Sequence, residues 1–263
     1  MARREIEGIR SVVTGASSGI GRAIAVELVR QGARCVLLAR SEDRLAKVVE
    51  ECNALQGVGQ VEVVTGDVTD AAVRKLAIEK SVVTYGGLDA VINNAGVGSF
   101  GRFSDSSPDR LRRIMEVNFF AAAELIRESL PALLRGTNPI VVNVGSILGH
   151  RGIPRMHEYC TSKFAMQGFS QSLRIELRAE GVDLLMVSPG TTDTGFYDNV
   201  VHGRGNVPWN KGRGTPVAVV AKKTVRAMQL GKREIVPNLN GRLLLWANRH
   251  APHWVDRVLE RFA

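Results

Sequence analysis

Short runs of β-branched apolar residues alternate with stretches of helical period along nearly the whole chain. Strands are expected at residues 9–13, 34–39, 61–65, 89–93, 139–144 and 182–187, with a short last one at 234–236. Helices are expected between them, at 20–30, 42–55, 70–85, 108–134, 157–180 and 215–230, the fourth well started by Pro108. The strand runs are apolar at successive positions rather than at alternate ones, which is what strands covered on both faces require. Strands of that kind in strand–helix–strand order imply an α/β fold: a doubly wound parallel sheet of about seven strands with helices on both faces. The 263 residues hold no linker, repeat or low-complexity stretch, so one domain over 1–263 is expected. Residues 195–214 are rich in Gly and Asn and too long for an ordinary connection; a binding loop or lid and plain surface irregularity are the two readings.

Charge and cysteine usage narrow the function classes. The net charge is +9, but from His202 onward there are 12 Lys/Arg against 3 Asp/Glu, and the first 201 residues carry 23 of each. The basicity therefore belongs to the tail, and a nucleic-acid role for the whole chain loses its basis. Aromatics at 5% argue further against a stacking-based single-strand binder. Cys35, Cys52 and Cys160 are odd in number and far apart, fitting neither a disulfide framework nor a metal site, as in a reducing compartment. Five histidines stand at no ligand spacing with cysteines or carboxylates, so no metal is expected. Residues 1–7 are charged, with no apolar leader before the first strand, and no apolar run is long enough to span a bilayer. A cytoplasmic placement is the expectation.

The first strand runs into Thr14-Gly15-Ala16-Ser17-Ser18-Gly19-Ile20-Gly21 and then a helix. A glycine turn at a helix N-terminus presents free N–H groups and a positive dipole end, which suits a pyrophosphate. Gly15 would make the turn, Gly19 would admit phosphate to the backbone, and Gly21 would let the helix pack on the strand. The second strand ends in Ala39-Arg40-Ser41, without the carboxylate that would bind a free ribose 2′-hydroxyl. Arg40 can pair with a 2′-phosphate, so NADP is the expected cofactor. Asp67, before Val68 at the end of the third strand, could accept from an adenine amino group; Asp70 is the better helix cap.

Tyr159 and Lys163 stand at i and i+4 on one helix, where a phenol and an ammonium share a face. A neighbouring cation stabilises phenolate, so the pair can exchange a proton with a carbonyl or alcohol oxygen near neutral pH. Ser146 ends the strand before that helix, 13 positions ahead of Tyr159, placed to hold the substrate oxygen. Asn118 is a polar residue among apolar neighbours inside the long helix, which suggests a buried polar role.

Over residues 9–236 the sequence resembles the short-chain dehydrogenase/reductase family, in its compact single-domain branch. The resemblance rests on the glycine turn, Asn93-Asn94-Ala95-Gly96, Asn118, Ser146, Tyr159-x-x-x-Lys163 and Pro189-Gly190, all in order. It implies a Rossmann sheet and hydride transfer at nicotinamide C4. It implies Tyr159 as general acid in reduction and Lys163 lowering its pKa while holding the nicotinamide ribose. Ser146 would bind the substrate oxygen, and Asn118 would hold a water linking Lys163 to solvent. Gly15, Ser17, Ser18, Gly19, Ile20, Gly21, Arg40, Asp67 and Val68 would line the adenosine and phosphate side, with Asn94, Ala95 and Gly96 beside them and Asn93 supporting the sheet. Pro189, Gly190, Thr192 and Thr194 would meet the nicotinamide end. A homodimer or homotetramer through the 108–134 and 157–180 helices is also implied. One departure is Ser18, where many NADP-preferring members carry a basic residue; Arg40 then stands alone, with Arg22 as a weaker helper.

The substrate is expected to be a small carbonyl or alcohol of lipophilic character, with Val97, Ile147, Leu148, Ile153, Phe196, Tyr197 and Trp209 as candidate walls. A 3-oxoacyl substrate on a carrier, met by Arg151 and Arg155, is the rival within the class. A non-catalytic NADP sensor is the rival outside it, disfavoured by the complete set of four polar residues. His150 and His157 read as pocket lining or loop hydrogen bonding, and Cys160, about 100° round the helix from Tyr159, as packed. Residues 238–263 form a basic amphipathic extension, with Trp254, Val255, Val258, Leu259 and Phe262 on one face after Pro252. It packs on its own domain or a second subunit in one reading, and makes peripheral membrane contact in the other.

Overall fold

The computed structural model describes residues 4–55, 59–194 and 214–262. The elements follow in chain order as β1 (Arg10–Thr14), α1 (Gly19–Arg30), β2 (Arg34–Ala39), α2 (Glu42–Asn53), β3 (Gln60–Thr65), α3 (Ala71–Tyr85) and β4 (Ala90–Asn93). After them come α4 (Pro108–Met115), α5 (Ala121–Leu133), β5 (Ile140–Val144), α6 (His157–Ala179), β6 (Asp183–Val187) and a two-residue strand β7 (Thr192–Asp193). The chain closes with β8 (Thr215–Pro216), α7 (Val217–Gln229), β9 (Glu234–Ile235), α8 (Leu239–His250) and α9 (Pro252–Leu259).

Seven strands form one sheet in the order β3-β2-β1-β4-β5-β6-β9, every neighbouring pair parallel. This is the doubly wound Rossmann order expected from the alternation. Successive strand residues enter opposite layers. Val13 and Val142 join the core under α1, α2 and α7, while Val12 and Val141 join the one under α3, α5 and α6. That two-sided burial explains why the strand runs are apolar throughout. Pro108 opens α4 behind the N-cap Ser107, and Asp70 caps α3 by accepting from the Ala72 N–H at 2.8 Å.

The order reverses between β1 and β4, so the strands' carboxyl ends flank a crevice there. The expected single helix at 108–134 differs in one respect. A π turn at Glu116–Phe120 interrupts it around Asn118. The extra residue in that turn carries the asparagine side chain toward the end of β4, a distortion that recurs at functional sites.

Candidate active site

The loops that leave the carboxyl ends of β1 to β6 surround one cavity of about 880 Å³. Its wall begins at the glycine turn, with Gly15, Ser17, Ser18, Gly19 and Ile20. Gly15 has φ +63°, and a Cβ there would come within 2.8 Å of Asn94 Nδ2 and 2.9 Å of Ala95 Cα. The turn is braced from β4. Thr14 Oγ1 accepts from the Asn94 and Ala95 N–H groups, each at 3.0 Å, and Asn94 Nδ2 donates to the carbonyls of Thr14 and Gly15. Asn94 is thus a strut for the turn as well as a wall residue. Gly21 lies behind the wall, packed closely on Gly15 and Asn94. Asn93 donates to Asn143 within the sheet at 2.9 Å. The bare backbone of this turn, open to the cavity at the start of α1, fits a pyrophosphate.

Arg40 lies on the wall with Leu38, Ala39 and Ser41. Arg44, in the first turn of α2, joins it there. The sequence reading missed Arg44, whose place in the first turn of α2, directly after the β2 end, was the signal. Arg22 is not on the wall; its guanidinium is 2.8 Å from Glu51, which corrects its expected role as a helper. Asp67 and Val68 border the same end. Burial works to raise the Asp67 pKa, but the Thr69 N–H and hydroxyl and the Arg113 guanidinium outweigh it and hold the carboxyl below its usual range.

At the far end Ser146, Tyr159 and Lys163 line the cavity together. Ser146 caps the turn Ile147–Gly149, its Oγ accepting from the Leu148 N–H at 3.1 Å. That turn lies directly on α6: a Cβ at Gly149 would fall 2.6 Å from the Lys163 carbonyl oxygen. Tyr159 is buried among Phe100, Met156 and Cys160. The Lys163 ammonium stands 5.7 Å from the centroid of its ring and donates to the Val144 carbonyl at 3.1 Å. Burial lowers the Lys163 pKa to about 8. Asn118 does not face the cavity. Its Oδ1 accepts from the Val97 N–H at 2.8 Å, and its Nδ2 donates to the Val97 carbonyl and Ser162 hydroxyl, each at 2.9 Å. The side chain therefore fixes Val97, a wall residue, to α6. Cys160 is packed, and burial pushes its thiol up to about 11. His150 is bonded to Ser188 and stands 3.3 Å from Glu234, while His157 lies against Glu158 and the Phe103 ring.

Pro189, Gly190, Thr192 and Thr194 complete the wall as expected, and Val97, Ile147, Leu148 and Ile153 give it an apolar side. Phe196, Tyr197 and Trp209, with most of the 195–214 loop, lie outside the described residues. The C-terminal extension folds back onto the site. Asn238 accepts from the Gly190 N–H at 2.8 Å, and Leu239, Leu244 and Leu259 reach the cavity. Arg151 ties the extension down, donating to Asn248 at 3.0 Å and pairing with Asp256. Of the apolar face expected on α9, Val255 is buried and Leu259 half-buried, but Trp254 and Val258 are exposed. No local signal in the sequence announced Asn238 or the leucine wall, since both depend on a long-range return of the chain.

The family model described as short chain dehydrogenase matches residues 10–205. Dehydrogenase/reductase SDR family member 7B of Bos taurus is 32% identical over 233 residues, covering 86% of this chain and 72% of that protein. A short chain dehydrogenase/reductase from Burkholderia phymatum, solved in complex with NAD, superposes with a TM-score of 0.86 over 95% of this chain and 96% of its own. At 24% identity that likeness is one of fold. A short chain dehydrogenase from Burkholderia cenocepacia J2315, solved with NADP, has a TM-score of 0.78 at 27% identity, over 89% of this chain and 97% of its own.

Proposed function

The chain belongs to the short-chain dehydrogenase/reductase family, and on that premise we propose that it interconverts a lipophilic ketone and a secondary alcohol with NADP(H). The observation that carries this reading is the single cavity: a glycine cradle and two arginines at one end, Ser146, Tyr159 and Lys163 at the other. The bound nicotinamide would give or take the hydride. In reduction Tyr159 gives its phenolic proton to the carbonyl oxygen, and the Ser146 hydroxyl donates to that same oxygen. Lys163 keeps the phenolate accessible by its charge. Asn118 holds Val97 and Ser162 and so ties the connection after β4 to α6 beside the pair.

Val97, Ile147, Leu148, Ile153, Leu239 and Leu244 on the wall favour an apolar substrate. Of Arg151 and Arg155, the two residues that would meet the carrier in the 3-oxoacyl reading, Arg151 is engaged by Asn248 and Asp256. A panel of alicyclic, aryl and long-chain ketones, with small hydrophilic ketones as controls, tests the proposal through NADPH consumption. Turnover confined to the hydrophilic controls, or none with any ketone or the corresponding alcohols, overturns it.

The pH dependence follows from Lys163. Below about 8 its ammonium persists; above that the charge that stabilises phenolate as the proton leaves is lost. The kcat/KM for ketone reduction in wild type is therefore expected to fall as pH rises through about 8. A flat profile between about pH 6.5 and 9.5 contradicts this.

Exposed Phe120 and Phe164, on the helices from which the family resemblance drew an oligomer, support self-association, which light scattering reads as assembly mass. Among the described residues no helix is long and apolar enough to cross a membrane. Leu239, Leu243, Trp246 and Trp254 are more than half exposed on α8 and α9, beside Arg242, Arg249 and Arg257, which supports contact with an anionic lipid surface. Vesicles containing anionic phospholipid should retain the intact chain and release the Trp246→Ala/Trp254→Ala variant. Failure of the intact chain to bind ends this reading.

A further inference from the structure

The first turn of α6 carries a charge that the scheme above does not use. Glu158 immediately precedes Tyr159 and is only 2% exposed. Its Oε1 accepts from Arg110 Nε at 2.6 Å and from the Ser106 hydroxyl. Its Oε2 accepts from the Ser99 hydroxyl at 2.7 Å and lies 3.2 Å from His157 Nε2. Arg110 is itself 6% exposed, so this is a buried ion pair and not a surface one. A carboxylate withdrawn from water persists only where donors satisfy it, and the two serines supply donors beside the guanidinium. Burial opposes the carboxylate's charge, yet the Ser106 and Ser99 hydroxyls and the Arg110 guanidinium together hold its pKa at about 2.

The donors come from one stretch of chain. Ser99 and Ser106 sit in the connection from β4, and Arg110 in α4. The same connection begins with Asn94 to Val97 on the cavity wall and continues to Phe100, which packs on Tyr159. It is joined to the entrance of α6 a second time where the Gly101 N–H donates to the Arg155 carbonyl at 2.9 Å. Phe100 is thus held against Tyr159 between two fastenings. Glu158 and Tyr159 are consecutive residues of one helical turn, so any slip of the carboxylate displaces the phenol. A misplacement of about 1 Å can lower a rate by about 10²-fold.

We propose that Glu158 is a positioning residue, which through Ser99, Ser106 and Arg110 fixes the first turn of α6 and hence the place of the Tyr159 hydroxyl. The proposal rests on Tyr159 being the acid. A purely structural ion pair would lower stability, cofactor affinity and turnover together. A positioning residue lowers kcat with cofactor affinity intact.

The test compares Glu158→Ala, Glu158→Gln and Ser99→Ala/Ser106→Ala with wild type and Tyr159→Phe. For each, kcat and KM with a ketone, NADPH affinity by fluorescence, and the melting temperature are measured. Glu158→Ala is expected to lose about 10²-fold in kcat with NADPH Kd within about twofold. Glu158→Gln keeps an acceptor oxygen and should recover part of that loss. The double serine variant leaves the ion pair in place and should lose about three- to tenfold. Wild-type kcat in a folded Glu158→Ala protein overturns the proposal, as does a parallel loss of kcat and NADPH affinity across the series. Should both Glu158 variants fail to fold, wild-type kcat in the double serine variant overturns it. Wild-type activity in Tyr159→Phe is a different failure, of the underlying reading.

Discussion

Tyr159→Phe is expected to lower ketone reduction by about 10³-fold or more while NADPH binds within about twofold of wild type. The ring is buried among Phe100, Met156 and Cys160, with Leu148 and Ile153 against that cluster. Phenylalanine keeps those contacts, so the fold and cavity remain. What disappears is one hydroxyl, and with it the proton that the reduced oxygen must receive. General acid catalysis contributes about 10²–10⁴-fold. Cys160 is held protonated by burial, with its thiol near 11, and the packing reading places it on another face of α6. Ser146 can donate a hydrogen bond to the oxygen but is far too weak an acid to complete the transfer. Initial rates with any ketone from the panel, NADPH fluorescence and a thermal melt provide the three measurements. Wild-type turnover by the variant would remove Tyr159 from the chemistry.

The parts of this site that could be read from sequence are those fixed by local chain geometry. The glycine turn, Arg40, Ser146 and the Tyr159–Lys163 pair each follow from a strand end or a helical repeat. Apolar strands with no alternation gave away a sheet covered on both faces. The role of Asn118 was half legible. A buried amide was expected, but a π turn cannot be seen in a periodicity of 3.6, so its grip on Val97 and Ser162 was hidden. Nothing in the sequence singles out Glu158, because its partners lie 48 to 59 residues upstream. Asn238 and the α8 leucines Leu239 and Leu244 were illegible for the same reason: only the folded chain returns them to Gly190 and the cavity wall.

Removing both arginines at the adenosine end is expected to reverse the choice of nucleotide. Arg40→Ala should reduce kcat/KM with NADPH by about 10–100-fold, and Arg40→Ala/Arg44→Ala by about 10²–10³-fold, with the NADH value little changed. Hydrogen bonds to charged groups are each worth about 1.5–3 kcal/mol, and 1.4 kcal/mol is a factor of ten. Solvent at the rim keeps the effect at the lower end of that range, because Arg40 is exposed. The loss should also shrink as ionic strength rises, since exposed charges are screened over about 8–10 Å. The asymmetry between the nucleotides is the informative part. A ribose 2′-hydroxyl carries no charge for a guanidinium to meet, so NADH loses nothing when the guanidinium goes. Ala39 and Ser41, which flank Arg40, bring no carboxylate to that place. Arg22 cannot compensate while it is paired with Glu51. Wild-type preference for NADH, or an unchanged NADPH/NADH ratio in the double variant, would show that the two arginines are surface charges that happen to border the cavity.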